Sequence, residues 1–205
     1  MNSLEQFVDD SLSFDHSGHG FDHAQRVEAL AKRIQEKEGG NLRIILAAAL
    51  VHDTIDSKLF SDREERVALL TKSLQNASYS PSEIQEILTI VTHMSWHLHD
   101  ESPKSLEAKI VSDADRLEAL GAIGLIRTIE YGASRQRKFY EEANLKRQGD
   151  QVEFDHSTET TLSHFYDKLL KLGDSFYTPT GKAMAEERIA FLKSFLKEFY
   201  REVGE

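Results

Sequence analysis

Apolar residues recur at helical spacing along nearly all of this 205-residue chain. In Phe21–Glu38 the positions His23, Val27, Leu30 and Ile34 form one stripe at i, i+4, i+7 and i+11, and Gly39-Gly40 supplies the stop. A second helix begins near Asn41 and runs through Ile44–Val51, which is too continuously apolar to face water. Ser61-Asp62-Arg63-Glu64 reads as a capping box before a helix bearing Val67, Leu70 and Leu74. Ser80-Pro81-Ser82-Glu83 reads as another, with proline at the first helical position and Ile84, Ile87, Val91 and Ser95 following. Pro103 breaks the chain, and one long helix is predicted over 105–130. Two more follow, over 158–172 with Gly173 closing it, and from about Pro179 to Val203.

No segment shows the period-two alternation of a strand, and there is no internal repeat. The predicted class is all-α. A single bundle is expected over 1–205, with a core of about 16–130, a charged loop over 132–156 and C-terminal helices over 158–203 packed on that core. The apolar face with Phe191, Phe195 and Phe199 could belong to the core or to a homodimer contact.

Composition narrows the chemistry. There are no cysteines, which removes disulfides, thiolate zinc sites and cysteine nucleophiles. The net charge of −10 argues against a stable nucleic-acid partner, because affinity for a phosphate backbone comes mainly from Lys and Arg. The most apolar stretch, Ile44 to His52, is far short of the ~20 residues needed to span a bilayer. The first ten residues carry acids and no basic segment, unlike a secretory signal, so the expected location is the cytoplasm. Against the acidic background, Arg127–Gln148 carries six basic and three acidic residues. This reads either as a solvated loop or as a flap that attracts phosphate.

Nine histidines are unevenly placed: His16, His19 and His23 cluster early, and His93, His97 and His99 cluster mid-chain. His52-Asp53 ends the most apolar helix, where a carboxylate costs several kcal/mol unless a cation or hydrogen-bond donors compensate. Asp113 and Asp115 lie in a core-like helix. Periodicity favours Asp113 as the inward residue, but spacing alone does not choose between them.

His23, then His52-Asp53, then Ala114-Asp115-Arg116-Leu117 resemble the ordered H…HD…D pattern of the HD-domain metal-dependent phosphohydrolase superfamily. Further segments are similar to a bacterial subgroup of nucleotide pyrophosphohydrolases. These are His19-Gly20-Phe21-Asp22-His23-Ala24-Gln25-Arg26-Val27, Leu50-Val51-His52-Asp53 with Asp56 and Lys58, and the run from Asp113 to Gly124. His164–Leu169, Thr180-Gly181-Lys182 and Glu187-Arg188 extend the resemblance toward the C-terminus.

The resemblance implies His23, His52, Asp53 and Asp115 as ligands of one divalent ion, and it makes Asp113 a supporting residue. Mn²⁺ suits two imidazoles and two carboxylates, with Mg²⁺, Co²⁺, Ni²⁺ or Fe²⁺ as further candidates. Asp56, one helical turn past Asp53, is the candidate for handling the proton of an attacking water. His19, Arg26, Lys58 and Arg127 are candidate phosphate contacts. His93 with His97 or His99 could hold a second ion, at the i, i+4 spacing of a helical chelate.

The activity so implied is hydrolysis of a nucleoside triphosphate to a monophosphate and pyrophosphate. Alternatives are a nucleoside monophosphate phosphatase and a two-metal cyclic-nucleotide phosphodiesterase. A di-iron oxygenase and a non-catalytic nucleotide or metal sensor on the same scaffold complete the set.

Overall fold

The computed structural model describes residues 3–13, 20–56, 59–60, 62–94, 104–148, 151–155, 157 and 159–204, without the side chains of 146–148 and 151–153. The all-α class expected from the periodicity is what it shows. Two compact units are present, residues 1–115 and 116–205.

In the first unit, α1 (Ser3–Leu12), α2 (Phe21–Glu38) and α3 (Leu42–Val51) are followed by a tight 3₁₀ turn, His52–Ile55. Then come α4 (Arg63–Asn76), α5 (Pro81–His93) and the start of α6 (Leu106–Glu118). The Gly39 stop is real: it adopts φ 83°, and its N–H reaches Gln35 O at 2.8 Å. Asn41 caps α3 by accepting from the backbone N–H groups of Arg43 and Ile44. α3 packs against α2, α5 and α1, which explains its apolar character; Ile44, Ile45, Ala48, Ala49 and Val51 are all fully buried.

The Ser80–Glu83 capping box forms as predicted, in both directions. Asp62 is the cap of α4, accepting from Glu65 N at 2.9 Å, and Ser61 lies outside the described residues, as does Ser95. Ser105 Oγ accepts from Ala108 N at the start of α6, and the Glu107 carboxylate accepts from Asn41 N at 3.0 Å, tying α6 to the α2–α3 connection.

The second unit contains the end of α6, α7 (Gly121–Ser134), α8 (Ser163–Asp167) and α9 (Pro179–Gly204). The single helix predicted over 105–130 is two helices. Gly121 turns the chain at φ 71°, and a Cβ there would stand 3.1 Å from the Arg188 side chain. The Arg188 guanidinium donates to Leu117 O, a carbonyl at the end of α6, so the break is held from α9.

The segment 158–172 is also not one helix. Thr160 and Ser163 hydrogen-bond reciprocally, Ser163 N to Thr160 Oγ1 at 3.1 Å and Thr160 N to Ser163 Oγ at 3.3 Å, which delays the helix to α8. A 3₁₀ segment, Leu169–Ser175, follows it.

The stretch predicted as a charged loop over 132–156 contains regular structure among its described residues. α7 runs into it, and β1 (Leu145–Gln148) pairs antiparallel with β2 (Gln151–Phe154), setting Leu145 opposite Phe154. Phe154 stacks on Tyr166 and Tyr200, with ring centroids 5.6 and 6.3 Å apart. Of the apolar face on α9, Phe195 and Phe199 stack within this unit, on Phe165 and on each other, whereas Phe191 is exposed. Among the described residues, no helix is long and apolar enough to cross a membrane.

Candidate metal centre

The candidate ligands come from three places in the first unit. His23 sits in the first turn of α2 on its buried stripe and is itself buried. His52 ends α3, where Val51 (φ −99°, ψ 2°) tightens the helix into the 3₁₀ turn whose four residues are all buried. Two local bonds shape this turn: the Thr54 hydroxyl donates to Val51 O at 2.7 Å, and His52 Nδ1 lies 2.8 Å from Ala49 O. The carbonyl can only accept, so Nδ1 carries a proton, and Nε2 is the nitrogen left to face the other side chains. Asp115 is carried on α6.

These side chains converge. His52 Nε2 is 3.3 Å from Asp53 Oδ2 and 3.7 Å from Asp115 Oδ1. His23 Nε2 is 3.6 Å from Asp53 Oδ2 and 3.5 Å from Asp115 Oδ1. The two imidazoles meet edge to face, 5.2 Å between centroids. One donor atom each from His23, His52 and Asp115 fall within 4.8 Å of one another, a spacing that could hold a metal ion. Asp113 and Asp115, between which spacing does not choose, are placed differently. Asp113 is wholly buried and outside this cluster, whereas Asp115 is half-exposed with an oxygen beside both imidazoles.

Asp53 is not one of those three donors but lies beside both imidazoles, and its Oδ2 and His52 Nε2 are buried with no hydrogen-bond partner. An ionised carboxylate oxygen in that state costs several kcal/mol, and one cation satisfies it and the imidazole lone pair together. Without an ion the protein must use protons. Burial pushes the His52 imidazolium down, but Asp53 and Asp115 outweigh it and raise His52 to about 9. Burial pushes Asp53 up, but His52 and His23 hold its carboxyl below the usual range. A charged imidazole locked to a carboxylate is the proton-filled form of a cation site.

An HD-domain family model matches residues 20–120, a span that contains all four of these residues. The protein YpgQ of Bacillus subtilis strain 168 is 32% identical over 203 residues, covering 98% of this chain and 92% of YpgQ. The chain belongs to the HD-domain family. The solved structure of YpgQ in complex with ADP is similar with a TM-score of 0.79 and 30% identity, covering 98% of this chain and 96% of that one. An HD-superfamily hydrolase from Bacillus thuringiensis is similar with a TM-score of 0.77 and 35% identity, covering 97% and 94%. Membership makes this chain an HD-superfamily hydrolase whose donor set suits a divalent metal.

The other candidates are placed less uniformly. Asp56 ends the 3₁₀ turn, half-buried, with its N–H on Asp53 O at 3.2 Å. Arg26 lies one turn along α2 from His23 and donates to Asp22 at 2.7 Å, which holds the Asp22 carboxyl below its usual range. Arg127 is half-buried on α7, in the second unit. His93 is the last residue of α5, exposed, with Nδ1 2.7 Å from Thr89 O. It is not part of the cluster found among the described residues. His19, Lys58, His97 and His99 lie outside the described residues. Sequence reasoning missed Arg66, whose guanidinium reaches the backbone of the turn at Thr54 O, 3.0 Å away; no motif marks it.

Proposed function

We propose that this protein hydrolyses nucleoside triphosphates, releasing pyrophosphate and a nucleoside monophosphate in the cytoplasm, with one divalent ion, Mn²⁺ by preference. The observation that carries the reading is the pair of buried, unpartnered atoms, His52 Nε2 and Asp53 Oδ2, facing His23 and Asp115. His23, His52, Asp53 and Asp115 would hold the ion, which supplies Lewis-acid polarisation of a phosphoryl oxygen and lowers the pKa of water.

The protein's own groups do the rest. Asp56 takes the proton of the attacking water, which adds to the α-phosphorus as the bond to the β-phosphoryl oxygen breaks and pyrophosphate leaves. Lys58, His19 and Arg26 contribute donors to the phosphate oxygens, Arg26 by exchanging its Asp22 partner for phosphate. Ala49 and Val51 keep the turn in register through the His52 ring and the Thr54 hydroxyl.

Two considerations support a nucleoside polyphosphate. YpgQ, alike over nearly the whole chain, has been crystallised with ADP. Pyrophosphate is also a better leaving group than a nucleoside alkoxide, so a single ion meets the lower barrier at an anhydride.

The test is a nucleotide screen with several divalent ions, followed by hydrolysis in ¹⁸O-labelled water. Label in the monophosphate with unlabelled pyrophosphate establishes attack at the α-phosphorus. Orthophosphate as the only primary product, or activity confined to monophosphates, overturns the reading in favour of a phosphatase.

A further inference from the structure

Arg66 stands in the first turn of α4, across from the 3₁₀ turn. Its Nε donates to Thr54 O at 3.0 Å. Its guanidinium carbon lies 4.1 Å from the centroid of the Phe60 ring and 5.6 Å from that of Phe7. Phe60 N in turn donates to Asp56 O at 3.0 Å. One side chain therefore grips the stretch that bears Asp56 at both ends, upstream by a carbonyl and downstream by a ring face.

The grip has little slack. Thr54 is wholly buried with its hydroxyl on Val51 O, so its carbonyl moves only with the turn. The guanidinium is committed to this place at a cost: Nη2 is buried with no hydrogen-bond partner. Thr54 follows Asp53 directly, so the peptide Arg66 holds is adjacent to a metal-ligating carboxylate. Groups that orient ligands without touching the ion typically change metal affinity or activity by about 10–100-fold when removed.

We propose that Arg66 is a positioning residue for the metal centre, fixing the turn that carries His52, Asp53 and Asp56 through the Thr54 carbonyl and the Phe60 ring. The inference rests on the cluster being a divalent-ion site. Lysine cannot reproduce it, because a point ammonium lacks both the Nε–H direction and the planar face that lies on the ring.

Arg43 provides a matched control. It makes the same kind of clasp, Nη2 to Ser78 O at 2.7 Å and guanidinium 4.2 Å from the Tyr79 ring centroid, at a turn with no metal ligand.

The experiment is calorimetric titration of the metal-free protein with Mn²⁺ alone, beside thermal melts, for wild type, Arg66→Lys and Arg43→Lys. Arg66→Lys is expected to weaken Mn²⁺ binding by about 10–100-fold. Arg43→Lys is expected to lower Tm and keep the wild-type Kd. Should Arg66→Lys fail to fold, Phe60→Leu removes the downstream grip and is expected to weaken binding in the same direction. A wild-type Kd in Arg66→Lys overturns the inference, as does an equal loss in Arg43→Lys, which would mark general softening. No Mn²⁺ binding by the wild type overturns the metal reading itself.

Discussion

His52 Nδ1 donates to Ala49 O across 2.8 Å, three residues back along the same helix. α3 is therefore a source of chemistry as well as the most apolar element of the core. Its last turn sets the tautomer of the ring that ends it, and so decides which nitrogen faces Asp53 and Asp115.

One divalent ion per chain is expected to co-purify or to bind on titration. Metal analysis of Asp53→Ala and Asp115→Ala should show near-complete loss, because each deletion removes a charged donor from a small ligand set. Asp113→Ala should lower stability and keep the ion. The reverse pattern, an empty site in Asp113→Ala and a full one in Asp115→Ala, would exchange the roles of the two aspartates.

The metal-free centre titrates in a defined direction. His52 is raised from 6.5 to about 9, so its contribution to stability is complete below pH 6.5 and is lost as pH rises through about 9. Asp53 is lowered from 3.8, so its contribution is complete above that pH and is lost as the solution is acidified through its folded value. Melts of the metal-free protein should therefore show a fall in Tm between pH 6.5 and 9 that His52→Gln lacks. Because the ion must displace the His52 proton, its affinity should rise by about tenfold per pH unit over that window. A pH-independent Kd would show that the ring enters binding unprotonated.

Asp56→Asn keeps shape and hydrogen bonding but loses basicity. Turnover on the best nucleotide should fall by about 10²–10⁴-fold with the ion still bound. Near-wild-type turnover would make Asp56 a structural end to the 3₁₀ turn.

Gly121→Ala should destabilise the protein by about 1–2 kcal/mol, the usual cost of a β-carbon in the left-handed region. The crowding against Arg188, 3.1 Å from the new atom, adds to it. Denaturant titration reads the change. An unaltered midpoint would show that the α6–α7 break relaxes without resistance.

Much of this was legible in the chain. α2, α3 and α5 announce themselves because each joins a clean apolar stripe or block to a recognisable stop or cap, as with Gly39, Asn41 and Ser80. His52-Asp53 was legible because a charge at the end of so apolar a helix demands a partner. The break at Gly121 was not, since its apolar stripe continues across a turn held by Arg188 from 67 residues away in the sequence. The different placing of Asp113 and Asp115 escaped periodicity for a related reason: the stripe marks the buried residue, Asp113, whereas Asp115, with an oxygen beside both imidazoles, is half-exposed. Four-residue strands that are mostly polar, such as Leu145–Gln148, carry too few alternations to register as β, and Arg66 bonds to a backbone carbonyl, which leaves no trace in a motif.

The donors on α2, the 3₁₀ turn and α6 are separated by about 30 and about 60 residues of chain, so an ion bound to them closes two long loops at once. In polymer terms it is a removable cross-link between distant segments. Such a link cannot form before the helices have found one another, and it slows their parting once made. Metal availability would then govern how long the protein lasts as well as how fast it works.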